Sequence, residues 1–287
     1  MSFQKINTVK IIHHILVPTD FSPCAANAYR FGLQLAEKWN ATLHLIHVVT
    51  PDNQVSDLPV IAEMATKDKI DVAVQLLHDF KDLGLKDAKL GVEVKDEVKI
   101  SLLPDAAIST VAEETKTDLI IIGTHQEHSG WEHVFGSYAS TVVKQAKCHV
   151  LVVPEKSEYR GFHTVGIAID LQETDPYHLW QACKLMEPFH AVLHCVHIEK
   201  EGESQQSKLR IEEMKDFFAN NAIALQLNFH TIQETSVSTG LEGLATEWGL
   251  DLLVMPAPHR DFLGRLFHKS MTQQMALQAK LPLLVLR

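Results

Sequence analysis

Residues 13–39 run "HHILVPTDFSPCAANAYRFGLQLAEKW", and the change of pattern inside them decides the fold. Their first part is a short continuous apolar run, the pattern of a strand buried on both faces. Ser22 is placed to cap a helix, and Pro23 suits a first turn, where the missing N–H would have no partner anyway. From there Ala25, Ala28, Tyr29, Gly32, Leu35, Ala36 and Trp39 recur at helical spacing and make one apolar stripe. Further strand-like runs follow at 42–49, 118–122 and 149–153, the first strand covering about 11–17. Residues 89–95 are more polar and read as an edge strand. Strand then helix, repeated four times, predicts right-handed crossovers and a doubly wound parallel α/β sheet. Such sheets bind ligands beyond the C-terminal ends of their strands, and Asp20, Val48 and Gly123 all fall at such ends.

The chain then repeats itself. "ATLHLIHVV" at 41–49 returns as "AVLHCVHIE" at 191–199, so that Ala41 maps onto Ala191, His44 onto His194 and His47 onto His197 at an offset of 150. "HHILVPTDFS" at 13–22 answers "HTVGIAIDLQ" at 163–172 with the same offset. Towards the ends "TDLIIIGTH" (117–125) matches "LDLLVMPAP" (250–258), and "KCHVLVVP" (147–154) matches "KLPLLVLR" (280–287), the offset having fallen to 133. A fixed offset across separated stretches is the mark of duplication. The predicted organisation is therefore two domains, 1–154 and 162–287, joined by a polar linker at 155–161.

Composition limits the function classes. The 287 residues are 46% hydrophobic and 22% charged, which is globular composition with length for two domains. A formal charge of −10 argues against a nucleic-acid or anionic-membrane surface. No stretch reaches the roughly 18 apolar residues of a membrane span, and the N-terminus lacks a signal peptide's apolar core, so a cytoplasmic protein is expected. Cys24, Cys148, Cys183 and Cys195 contain no CxxC pair and read as reduced structural thiols.

"HILVPTDFS", "LIHVV", "DLIIIGTH…GS" and the closing "CHVLVVP" together resemble the universal stress protein family, here as a tandem-domain member. The resemblance covers essentially the whole chain, with copy one carrying the motifs and copy two mainly the strand pattern. It implies an adenine-nucleotide alpha-hydrolase-like fold and, in the ATP-binding branch, a loop of pattern G-x2-G-x9-G-[ST] at the phosphates. Carried over, Pro18, Thr19, Asp20 and Val48 would meet the base and ribose. Gly123, Gln126, Gly136, Ser137 and the Tyr138 amide would meet the phosphates, with Mg²⁺ bridging to a carboxylate. Glycine lets backbone N–H groups approach phosphate oxygens, and a helix starting at Ser137 points its free N–H groups at the anion.

This sequence departs from that pattern at Gln126, where the family has glycine. If the turn needs a positive φ, a side chain there costs about 1–2 kcal/mol. Glu127 and Glu132 oppose an anion in the same loop, each by a fraction of a kcal/mol to a few at about 6 Å. In copy two, Pro256, His259 and Lys269 stand at the three glycine positions, while Asp170 persists after the first strand. The loop there carries Arg260, Arg265 and Lys269, which suit either a side-chain-bound anion or plain solvent exposure.

The protein has 17 histidines. His125, His128 and His133 share the acidic loop but match no metal spacing. His194 and His197 are three apart on a strand and face opposite ways, so they cannot share a metal; with His190 they read as core or strand-end residues. No catalytic constellation presents itself. The sequence thus points to a non-catalytic stress-response regulator with an ATP site in domain 1 only. A nucleotide-independent scaffold and a slow ATPase based on Asp20 are the alternatives, and Asp20 equally suits a loop cap before the Ser22 helix. The closing "HVLVVP" and "PLLVLR" strands resemble family edges that pair across dimers, so the resemblance implies that the two domains pair as an internal pseudo-dimer covering otherwise exposed strand edges, with a homodimer as a further expectation.

Overall fold

The computed structural model describes residues 12–51, 59–88, 91–125, 136–171, 176–199, 204–221, 224–234, 237–256 and 281–287. Two compact units emerge, one made of 12–124 with 138–155 and the other built on 156–287.

The first unit runs β1 (His14–Pro18), α1 (Pro23–Trp39), β2 (Thr42–Val49), α2 (Pro59–Ala88), β3 (Val94–Ile100), α3 (Pro104–Glu114), β4 (Leu119–Thr124), α4 (Gly136–Gln145) and β5 (His149–Pro154). Its strands lie in the order β3-β2-β1-β4-β5, every pair parallel. β1, β4 and β5 are buried almost throughout, as strands covered on both faces must be.

α1 starts where the sequence predicts. Ser22 Oγ accepts from the Ala25 N–H at 3.3 Å, and the helix ends at Asn40 in the left-handed conformation. All seven stripe residues are buried. A Cβ on Gly32 would lie 2.9 Å from Leu43 and 3.0 Å from Val17, so glycine lets α1 settle onto β1 and β2. Tyr29 stacks on Phe80 at 5.6 Å and donates to the Lys81 carbonyl at 3.1 Å, which ties α1 to α2.

The edge strand lies further along than predicted: β3 spans 94–100 rather than 89–95. Its register, Leu43 opposite Val94 through Val49 opposite Ile100, is set by β2, and α2 occupies the chain up to Ala88. The strand's five charged or exposed positions hide its period, because an edge needs only half its side chains covered.

The second unit repeats the plan with β6 (Thr164–Ala168), α5 (Pro176–Met186), β7 (Val192–Glu199), α6 (Ser204–Asn220), β8 (Leu227–Gln233), α7 (Val237–Glu247), β9 (Leu252–Pro256) and β10 (Leu283–Leu286). Its strand order is β8-β7-β6-β9-β10, again all parallel. Each half therefore folds as a five-stranded doubly wound sheet. The linker is less open than its charge implies. Ser157 and Phe162 are buried, and the Phe162 ring meets Tyr159 at 5.6 Å and Phe189 at 5.1 Å.

No helix among the described residues is long and apolar enough to cross a membrane. None of the four cysteines forms a disulfide, and Cys24, Cys183 and Cys195 are buried.

Candidate functional site

In a doubly wound sheet the chain leaves neighbouring strands in opposite directions at the switch point, opening a crevice at their C-terminal ends. In the first unit the switch lies between β1 and β4, and the loop after β1 is held down residue by residue. The Thr19 N–H donates to the Ile46 carbonyl at 2.8 Å, and Thr19 Oγ1 accepts from the Phe21 N–H at 3.0 Å. His47 Nδ1 lies 2.8 Å from the Thr19 carbonyl oxygen. A carbonyl can only accept, so Nδ1 carries the proton and His47 pins the loop to β2.

Asp20 caps its own loop. Its Oδ1 accepts from the Ser22 N–H at 3.0 Å and from the Ser22 hydroxyl. Between these anchors Phe21 has φ of 65°, a left-handed conformation that costs a residue with a Cβ about 1–2 kcal/mol. The conformation lays its ring against His47, with centroids 4.5 Å apart, and against Phe80 at 5.7 Å. Beside it opens a cleft of about 540 Å³. Phe21, Val48, Val49, Val72, Ala73 and Leu76 supply its apolar lining, and His47, Thr50, Asp68 and Lys69 its polar one.

Of the residues expected at the base and sugar, Val48 lines this cleft, while Pro18 and Thr19 are buried and Asp20 is exposed, all three outside its lining. Gly123 sits near the end of β4 with α1 directly upon it. A Cβ there would lie 2.3 Å from the Cys24 carbonyl oxygen and 2.4 Å from its carbon. The glycine thus serves the packing of the α1 N-terminus on β4. Gly136 and Ser137 are the first two residues of α4 and Tyr138 the third. The Tyr138 phenol is pushed up to about 12, first by burial and then by the carboxylates of Asp105 and Asp20, so it stays protonated beside them. Gln126, Glu127, His128, Gly130, Glu132 and His133 lie outside the described residues. No group of three or more metal-ligating side chains forms among the described ones.

The wall contributed by α2, from Asp68 to Leu76, left no trace in sequence, because Met64, Val72, Val74, Leu76 and Leu83 of that helix face outward and blur its apolar pattern. Val72 is 60% exposed and Leu76 48%. Phe21 could have been noted, since an aromatic residue between Asp20 and the Ser22 cap has no room in the α1 stripe.

The second unit builds the same edge shut. His197 Nδ1 approaches the Ile169 carbonyl at 3.3 Å, repeating His47, but its Nε2 meets Ser207 Oγ at 3.4 Å. Arg210 donates to the Leu171 carbonyl at 2.8 Å. Leu171, His197, Ile198, Ser207 and Ile211 are all buried, where His47, Val48 and Phe21 remain partly open. Asp170 follows β6 and Pro256 ends β9. His259, Arg260, Arg265, Lys269 and Ser270 lie outside the described residues.

Comparison with known proteins accords with this duplication. A universal stress protein of Methanocaldococcus jannaschii is 29% identical over 153 residues, 51% of this chain and 85% of that protein. Universal stress protein A homolog 1 of Coxiella burnetii is 27% identical over 147 residues, 49% of this chain and 94% of its own. Among solved structures, a universal stress protein from Archaeoglobus fulgidus superposes with a TM-score of 0.70 at 15% identity, covering 96% of this chain and 98% of that one. A functionally unknown protein from Pseudomonas aeruginosa PAO1 gives 0.59 at 17% identity over 98% and 94%. The sequence model of the universal stress protein family matches residues 12–154 and again 161–287, so the chain belongs to that family and carries its unit twice.

Proposed function

We propose that this universal stress protein acts without catalysis, as a stress-response regulator that takes an adenine nucleotide in copy one and not in copy two. The observation that carries the reading is the cleft beside Phe21 and Val48, whose counterparts in copy two are buried. Its volume of about 540 Å³ falls within the range of small-molecule sites, and an apolar floor with a few polar groups is what a planar base requires. The Phe21 ring would stack on the base, and Val48 would bound it. The N–H groups opening α4 at Gly136 would receive phosphate oxygens, and ATP would enter with Mg²⁺. Tyr138, protonated, can donate towards an anion. Asp20 already accepts two hydrogen bonds from Ser22, which favours loop capping over a general-base role.

Calorimetric titration of the metal-stripped protein with Mg-ATP tests this, beside Val48→Trp, which fills the cleft, and Gln126→Gly, which restores the family's glycine. Expected are one nucleotide per chain, micromolar affinity (about −8 kcal/mol), tighter binding by Gln126→Gly and none by Val48→Trp. Absence of heat from both wild type and Gln126→Gly would sink the reading.

A nucleotide-independent scaffold then takes its place. Ile100 at the end of β3, with Leu102 and Leu103 between it and α3, is exposed, and the three favour that second reading, because a protein partner would cover them. A slow ATPase would show itself as phosphate release in a single turnover, lost in Asp20→Asn.

A further inference from the structure

Copy two holds a side-chain cluster that the nucleotide reading does not use. His194 is the third residue of β7, paired in register with Asn228, and His230 stands two residues further along β8 on the same face. Nδ1 of His194 lies 3.1 Å from Nε2 of His230. The ring centroids are 5.2 Å apart and the planes within 21°. That separation exceeds the nitrogen distance by about one ring width, so the imidazoles meet edge to edge through a hydrogen bond. Trp248, just past α7, has its ring 4.6 Å from His194 and 4.5 Å from His230, tilted 32° and 44°. One indole therefore leans on both imidazoles. Gly249 follows with φ of 60° and leads the chain back towards β9.

In the neutral pair one nitrogen donates and the other accepts. A first added proton leaves that bond intact and puts its charge beside the indole, which attracts cations. A second makes both facing nitrogens donors and sets two charges against each other, so the rings must part. Burial holds His194 below its ordinary value; burial and then the neighbouring His194 do the same to His230. Among the described residues no carboxylate offsets these shifts. β6 brings Gly166 opposite His194, β8 brings Asn228, and after Trp248 the Asp251 carboxylate is taken by the backbone N–H groups of His163 and Thr164. His163 just before β6, Glu187 and His190 before β7 and Glu247 at the end of α7 are titratable too, and none of them shifts the pair.

The fold does not require this arrangement. Equivalent positions in copy one hold His44 and Glu97, by the same register, and Thr115, by the offset of 133. There the Lys95 ammonium and the Glu97 carboxylate act on His44 in opposite senses. A zinc site is disfavoured, since structural and catalytic zinc takes three or four protein ligands and the described residues gather no third.

We propose that His194 and His230, capped by Trp248, form an acid-sensing pair that stays closed with no or one added proton and opens with two, freeing Trp248 and the turn into β9. The pair belongs to copy two, and its behaviour is independent of nucleotide binding in copy one.

Imidazole NMR of the full chain, titrated from about pH 8 to about pH 4.5, reads this directly, with tryptophan fluorescence in parallel. Wild type should show His194 and His230 titrating in two coupled steps, the second accompanied by a change in Trp248 emission while far-UV circular dichroism is unchanged. In His230→Gln, His194 should titrate in one step and the emission change should vanish; Trp248→Phe should abolish the emission change and keep the coupling. Independent single-step titration of the two histidines in wild type would overturn the proposal, even if His230→Gln failed to fold. So would loss of the steps on adding a chelator, which would reveal a metal, or their coincidence with loss of circular dichroism, which would reveal plain acid unfolding.

Discussion

Gly123 shows how one residue can answer two demands. The family resemblance places it at the phosphates, yet its missing side chain is already required by the backbone of Cys24 and Ala25, whose atoms would stand 2.3–2.9 Å from a Cβ. Backbone cannot swing aside as a side chain can, so Gly123→Ala must shift α1 or β4. Overpacking of this kind costs about 1–3 kcal/mol. Gly91, with nothing within 4 Å of a Cβ, is the control, and Gly91→Ala should change stability by less than about 0.5 kcal/mol. Urea unfolding followed by circular dichroism compares the two; equal midpoints would show that α1 yields freely. The histidines teach a related lesson. His190, close in sequence to His194 and His197, closes the turn after α5 at φ of 53°, as Asn40 closes α1 at 52°. The duplication aligns those two residues, but only the backbone explains why a histidine and an asparagine occupy one position.

At the scale of elements, each copy fixes the start of its first strand with an aspartate from the loop before its fourth. Asp118 Oδ2 accepts from the N–H groups of His13 and His14 at 2.8 and 3.0 Å, and Asp251 Oδ2 accepts from those of His163 and Thr164 at 2.8 and 2.9 Å. Asp118 is buried and Asp251 only partly so. Removing a buried charged acceptor leaves both donors without their partner, so Asp118→Ala should cost about 1.5–3 kcal/mol and Asp251→Ala clearly less. A larger loss for Asp251→Ala would mean that burial is not what sets the strength of this clamp. Both aspartates stood in the repeated "DLIIIG" and "DLLVMP" segments, so their recurrence was legible although their role was not. The interior strands and α1 were legible for a simple reason: elements buried on two faces or along one stripe must write that burial into their sequence. β3 was misplaced because an edge strand writes only half of it. The cleft was legible at Val48, which stands near the C-terminal end of β2, but not at Phe21, which no motif singles out. Its α2 wall was not, since Val72 and Leu76 line the cleft and are exposed rather than packed on the sheet, and nothing in their local period reports that.

For the whole molecule, buried titratable groups set a pH window. His44, His194 and His230 are all held below the ordinary histidine value, chiefly by burial. As pH falls through about 6.5 the unfolded chain takes up protons that the folded one refuses, so stability present above that value is lost on acidification. On the alkaline side burial pushes the Cys183 thiol up to about 12, raises Cys195 and Cys24, and with the Asp105 and Asp20 carboxylates lifts Tyr138 to about 12. Here the unfolded chain releases protons first, from about pH 9 for thiols, and stability falls as pH rises from there towards the folded values. Each fully effective group contributes at most about 1.4 kcal/mol per pH unit. Urea midpoints should therefore be highest between about pH 7 and about pH 8.5 and fall on both sides. The fully buried thiols should begin the alkaline fall, because solvent screens the partly exposed Tyr138 and the buried Tyr29 phenol, also raised by burial, ionises in the unfolded chain only near about pH 10. Cys195→Ala will lower the plateau by opening a small cavity, yet the alkaline slope should flatten, and the slope rather than the height carries the test. An unchanged slope would show that the Cys195 thiol meets water before the fold is lost.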